Sequence, residues 1–253
     1  MRNYQILFAV LVAEILLEFA ASGQAGPPIA VAAHVTTSPP EIDGVLSAGE
    51  WENTEEIILP GGNPTVVRAE WSETGLYFSL KALDTTPFIR KPGLEAEGSL
   101  HMQDVWEIFI DVLGDARQYY EVQIALSGET YAKNHLLTAP PEVDETHVLR
   151  KEFWCREWWP QPIILPADVR ASSRYDPMSG WWTAEIFLPA GFVNKRRGGC
   201  PLSAGVIRLN LVRHDWKNAT DADFLYWAPV KSGHPHLSPT VMGTLRLEGT
   251  SGR

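Results

Sequence analysis

The segment HMQDVWEIFID, residues 101–111, sets acids into an apolar run. Asp104, Glu107 and Asp111 punctuate Val105, Trp106, Ile108, Phe109 and Ile110. In a β-strand successive side chains point to opposite faces. Trp106, Ile108 and Ile110 then face a core, and Glu107, Phe109 and Asp111 face away from it. The same period in residues 118–126 sets Tyr119, Glu121 and Gln123 against Tyr120, Val122, Ile124 and Leu126. In residues 205–212 it sets Arg208 and Asn210 against Ile207, Leu209 and Leu211. If these strands share a sheet, its outer face gathers Glu107, Glu121, Gln123, Arg208 and Asn210. Carboxylate, amide and guanidinium groups together supply the donors and acceptors that sugar hydroxyls need. An ordinary solvated face has the same composition, so the two readings stand side by side. His101 and Trp106 near one rim, and GHPHLSP (233–239) near the other, favour a site.

Other chemistries use some of the same residues. Glycoside hydrolysis needs two carboxyl groups on either side of a sugar bond, and Glu107 with Glu121 is the available pair. The chain carries no G-x-S-x-G elbow, no H-E-x-x-H helix and no glycine-rich phosphate loop. Calcium takes six to eight oxygens from carboxylates and carbonyls. Asp84, Asp104 and Asp111 are candidate donors, Asp84 and Asp104 foremost. His214, His234 and His236 suggest a transition-metal cluster only weakly, because no third ligand accompanies the loop pair. No organic cofactor is expected.

The elements that must position these residues read as strands. Segments 65–71, 75–84, 104–111, 118–126, 181–189, 205–216 and 243–249 alternate, wholly or in part, with turn dipeptides between them. LSAGEWENTEEI (46–57) is the best short-helix candidate. This predicts an all-β chain, an antiparallel β-sandwich of the immunoglobulin or jelly-roll kind, over residues 39–250. Residues 130–170 hold five prolines and three Trp and read as a long Trp- and Pro-rich insertion loop. There Trp154, Trp158 and Trp159 either pack over the sandwich end or form an aromatic platform for a ligand.

Net charge is −10 and Trp numbers 10 in 253 residues. The charge argues against nucleic acid, which needs a basic face. Indole rings serve both sandwich cores and carbohydrate faces. Arg2, an apolar stretch and small residues before Gly26 read as a signal peptide over residues 1–25, followed by a leader to residue 38. A secreted, periplasmic or cell-surface location follows, with no stable membrane insertion after cleavage. In such a compartment Cys155 and Cys200 are a possible disulfide or two separate thiols.

The order of segments resembles the family-9 carbohydrate-binding modules, the β-sandwich domains known as accessories of xylanases. PPEIDGVLSAGEWENTEEI resembles the family's opening IDG…W segment, and VVRAEWSETGLYFSLKALD its following strand pair. QDVWEIFID, YYEVQIALSG, GWWTAEIFLP and PTVMGTLRL follow in the family's order, covering residues 39–247. The resemblance implies a non-catalytic module that grips a sugar chain end between two Trp rings above a concave sheet. It places Glu107, Gln123 and Asn210 at polar binding positions, and Asp84 nearest a structural calcium position. His101 and His236 stand where the family has its two stacking Trp residues. The implied ligand is a plant polysaccharide, xylan- or cellulose-like, or an oligosaccharide, and the implied role is carbohydrate catabolism. The alternatives are a glycan-cleaving enzyme using Glu107, and a haem or metal protein. Distant haem-binding relatives of this sandwich use Met or His, and His101, Met102, His236 and Met242 are the matching types here.

Overall fold

Every segment with apolar alternation forms a strand. The computed structural model describes residues 28–34, 38–90, 100–137, 158–230 and 239–249. The strands are β1 (Ile29–His34), β2 (Ile57–Ile58), β3 (Thr65–Ser72), β4 (Gly75–Leu83), β5 (Val105–Asp111), β6 (Gln118–Ala125) and β7 (Thr130–Leu137). They continue with β8 (Trp158–Pro162), β9 (Arg170–Asp176), β10 (Trp181–Pro189), β11 (Gly205–Asn218), β12 (Asp221–Tyr226) and β13 (Gly243–Leu247). A single helical turn, α1 (Ala190–Val193), follows β10.

Hydrogen bonds run through the order β8-β7-β6-β5-β11-β13-β1-β3-β4-β10-β9, with β12 also on β11 and β2 on β3. β1 divides this path. Its first residues pair with β13 and its last two, Ala33 and His34, pair with β3, parallel in both cases. The other pairings are antiparallel. One sheet therefore runs from β8 to β13 and the other from β3 to β9, with β1 as the shared corner. Trp106, Ile108, Val122, Ile124, Leu209 and Leu211 of the first sheet and Val67, Phe78, Leu80, Trp182 and Ile186 of the second share one buried core. Two curled sheets enclosing one apolar layer are a β-sandwich, as the alternation predicts. The antiparallel expectation is corrected only at β1.

Other local readings are corrected too. Ile29–His34 lie in the stretch expected to be a leader, yet they form β1. Residues 48–54 are turns and bends rather than a helix, and the segment runs into β2 at Ile57. Glu50 accepts the Ser47 amide at 2.9 Å and the Glu41 amide at 3.2 Å, and such local bonds compete with helix formation. The insertion loop expected over 130–170 contains β7 and β8, with residues 138–157 outside the described set. β8 carries Pro160 and Pro162, and proline normally argues against a strand. It is accommodated because, among the described residues, β8 is the edge of the sheet and pairs only with β7.

The opening motif has a physical reason. Glu185, wholly buried on the outer side of β10, accepts the Asp43 and Gly44 amides at 3.2 and 2.9 Å and the Trp51 indole N–H at 3.0 Å. Gly44 has φ +82°, and a Cβ there would come within 3.0 Å of Arg174 and Ser172, so only glycine fits. Trp51, Tyr77 and Phe187 then form a small buried cluster with Ile42 and Leu46 against it. The IDG…W segment is a cover strapped over the second sheet by one carboxylate.

Candidate functional site

The outer face of the first sheet carries the predicted polar group, and five adjacent strands set its register. Glu107 stands opposite Gln123, Gln123 opposite Tyr131, Glu121 opposite Phe109 and Lys133, and Tyr119 opposite His135. On the other side Val212 stands between Glu107 and Tyr226, and His214 between Val105 and Phe224. The period of two that buries Trp106 and Ile108 puts all of these on the opposite face.

The side chains are joined. Gln123 Nε2 donates to Glu107 Oε1 at 2.8 Å and to Glu121 Oε1 at 2.5 Å. Two carboxylates on one nitrogen fix the amide's orientation. Glu121 Oε2 lies 2.6 Å from His135 Nε2, and Glu121 Oε1 3.6 Å from Lys133 Nζ. Glu107 Oε2 lies 3.2 Å from His214 Nε2. Gln123 is 0% exposed, and Glu107 and Glu121 are each 3% exposed. Gln123 Oε1 is buried with no hydrogen-bond partner among the described residues.

His214 faces acceptors with both ring nitrogens, because its Nδ1 lies 3.1 Å from the His101 carbonyl. Two acceptors require two N–H groups, which only the imidazolium offers. Burial alone would lower its pKa. The Glu107 charge, the bond to Glu107 and the His101 carbonyl outweigh burial and raise it above 6.5. Stability from this pair is therefore fully present below pH 6.5 and fades as pH rises through the raised folded value. An NMR titration of His214 is expected to show a midpoint above 6.5, falling below it in Glu107→Gln. An unshifted midpoint in that variant would show that Glu107 does not hold the proton. Burial first, then the Glu107 charge, pushes the Tyr226 phenol up to about 12, which keeps it a neutral donor.

Other predicted residues are placed differently. Asn210 is on this face, but its carboxamide clasps the Ala228 backbone, donating to the carbonyl at 2.9 Å and accepting the amide at 2.8 Å. Arg208 donates to the Thr240 and Met242 carbonyls at 2.8 and 3.2 Å, anchoring the turn Pro239–Val241. Both act as positioning residues. His101 lies exposed in the turn Leu100–Met102, and its carbonyl accepts from His214 and from the Trp216 indole N–H at 3.0 Å. Met242 is packed with Phe109, Tyr119, Leu137 and Val212, not presented as an open axial ligand. Trp158 and Trp159 pair through their backbones with Leu137 and Leu136 in β8. His234, His236, Trp154 and Cys155 lie outside the described residues. Cys200 is a free, exposed thiol.

Sequence reasoning missed Lys133, His135, His214 and Phe224 as parts of this face. Phe224 is 46% exposed and stands edge-on to His214, ring centroids 4.8 Å apart. It is an exposed aromatic ring adjoining the network. The alternation of Ala222, Phe224 and Tyr226 within DADFLY was the available signal. Of the described tryptophans, Trp51, Trp71, Trp106, Trp182, Trp216 and Trp227 are buried, and Trp181, on β10 of the other sheet, is half-buried.

Asp84 and Asp104, expected as calcium donors, meet Asp215 in a wholly buried cluster with carboxylate atoms within 4.8 Å of one another. Asp111 is elsewhere, accepting the Gly114 and Ala116 amides at 2.8 Å in the turn after β5. Burial, foremost, and the nearby Asp84 charge push Asp104 up to about 8. All six carboxylate oxygens of the cluster already receive donors. Thr86 N and Arg213 Nη2 meet Asp84, and Trp216 N and Phe88 N meet Asp104. Arg213 Nη2 also meets Asp215, which Asn63 and Lys217 approach from its other oxygen. Each of these oxygens keeps a second lone pair, but the Arg213 and Lys217 cations already held among them oppose a divalent ion in so buried a site.

No family model matches the sequence, and no curated protein matches it. Solved structures do share its fold. A family-9 carbohydrate-binding module from Caldicellulosiruptor kristjanssonii in complex with glucose aligns over 89% of this chain and 98% of its own, with TM-score 0.59 and 14% identity. The same module in complex with cellotriose gives the same TM-score and identity, over 96% of its own chain. A protein from Bacteroides uniformis given as carbohydrate-binding aligns over 87% of this chain and 99% of its own, with TM-score 0.66 and 16% identity. The chain thus has the two-sheet fold that its motif order resembles. At this identity the likeness is one of architecture. No helix among the described residues is long and apolar enough to cross a membrane.

Proposed function

We propose that this protein binds carbohydrate without cleaving it, through the outer face of the first sheet. The observation that carries the reading is Gln123 Oε1, a buried acceptor with no partner among the described residues. Its nitrogen is held by two carboxylates. A buried acceptor left unpaired costs about 1–3 kcal/mol, and a ligand hydroxyl supplies the missing donor. The pairing of Glu107 with His214 and of Glu121 with His135 and Lys133 tempers the acidity of the face, which suits a neutral polyol. Both carboxylates act here as acceptors toward the Gln123 amide, a binding arrangement rather than an acid–base pair. The exposed ring of Phe224 offers an apolar surface for a pyranose.

The fold supports the reading, since modules of the same architecture are seen with glucose and cellotriose. On that support the ligand is a plant-type glycan, xylan- or cellulose-like, or an oligosaccharide released from one, and the role is carbohydrate catabolism. The N-terminal pattern supports export, with residues 1–25 removed.

Affinity electrophoresis against cellulose derivatives, xylans, mannans and pectins tests the proposal. Retardation on at least one polysaccharide is expected, and its loss in Glu107→Ala. Normal migration on every polysaccharide would contradict it.

A further inference from the structure

One end of the sandwich is closed by charge instead of apolar side chains. Arg213 continues the inward row of Ile207, Leu209 and Leu211 along β11, and it is wholly buried. Its Nη1 donates to Thr65 Oγ1 and to the Leu83 carbonyl, each at 2.9 Å. Its Nη2 donates to Asp84 Oδ2 and Asp215 Oδ1, each at 3.2 Å. One hydroxyl, one carbonyl and two carboxylates, drawn from both sheets, converge on a single cationic group. The guanidinium also lies over the Trp182 ring, 5.9 Å from its centroid.

Hydroxyl, carbonyl and carboxylate oxygens are the ligand set a hard divalent cation takes. We propose that Arg213 is a built-in substitute for a structural divalent cation. It ties β11 to β3 and to the end of β4, so this junction of the two sheets is independent of calcium. A guanidinium is permanently charged and offers its donors in a planar fork, and it cannot dissociate as an ion can. Lys217 Nζ, 2.5 Å from Asp215 Oδ2, adds a second positive charge. A divalent ion among the same oxygens would face both cations in a buried site, where like charges repel strongly. The proposal does not depend on the sugar reading.

Removing Arg213 should expose the oxygen set to a metal. Thermal unfolding of the full chain in EDTA and in millimolar calcium tests this for the wild type, Arg213→Met and Arg213→Gln. Wild-type midpoints are expected to agree within about 1 °C in the two buffers. The variants are expected to unfold at lower temperature in EDTA and to gain about 5 °C or more in calcium, by ligand linkage. A wild-type midpoint that drops in EDTA, returns with calcium and loses this response in Asp215→Asn overturns the proposal. So does a folded Arg213→Met that gains nothing from calcium. If neither variant folds, the wild type decides: indifference to EDTA supports the substitution, and a calcium requirement overturns it.

Discussion

Gln123→Met is expected to weaken sugar binding by roughly 30- to 1000-fold, about 2–4 kcal/mol, while the protein remains folded. Methionine keeps the length of the side chain but removes two things at once. It takes away the buried, unpartnered carbonyl oxygen to which the proposed binding assigns a ligand hydroxyl, and it takes away the donor that holds Glu107 and Glu121 in register. The second loss also destabilises the fold, because two buried carboxylates each lose a bond. Near-ultraviolet circular dichroism and the unfolding midpoint must therefore accompany the affinity measurement. Asn210→Ala is the matched control. Its carboxamide is committed to the Ala228 backbone, so it should lower stability and leave affinity within a few-fold. The opposite split, with Asn210→Ala abolishing binding and Gln123→Met sparing it, would place the ligand elsewhere on the face.

Glu185→Ala is expected to cost about 3–5 kcal/mol of stability, the largest single-residue effect in the second sheet. The side chain is wholly buried and is the acceptor for the Asp43 and Gly44 amides and the Trp51 indole. Alanine leaves three donors without their partner and loosens the cover that holds Trp51 against Tyr77 and Phe187. Urea titration followed by Trp fluorescence reads both the midpoint and the exposure of Trp51. Glu185→Gln keeps one acceptor oxygen and should cost about half as much. A loss below about 1 kcal/mol in Glu185→Ala would show that the cover is not held by this residue. Sugar affinity should be unchanged in the folded fraction, because Glu185 stands on β10 of the other sheet.

Much of the fold is legible because burial on one face writes a period of two into the chain. β5, with Trp106, Ile108 and Ile110 inward, and β11, with Ile207, Leu209 and Leu211 inward, show this plainly. β7 does not, because both faces of TYAKNHLL mix polar and apolar residues. β8 was obscured by its prolines, which an edge strand accommodates and an inner one does not. β1, an alanine-rich segment within the stretch expected to be a leader, offers little side-chain signal. It is specified by backbone pairing with β13 and β3.

The site follows the same logic. Alternation alone places Glu107, Gln123 and Asn210 on one face, and that placement holds. It cannot tell a group aimed at a ligand from one committed to the backbone, which is how Asn210 and Arg208 came to be grouped with Glu107. It also cannot supply strand order. His135 and His214 are isolated in sequence, and they meet Glu121 and Glu107 only because β7 lies beside β6 and β11 beside β5. Asp215 joins Asp84 and Asp104 in the same way, through contacts between the sheets.

The most direct measurement is isothermal titration of the purified protein with neutral gluco-, xylo- and manno-oligosaccharides, cellotriose among them, alongside folded Gln123→Met. A face organised around Gln123 predicts saturable heat with at least one of these sugars in the wild type and its loss in the variant. No heat with any sugar, or undiminished binding in Gln123→Met, would contradict it.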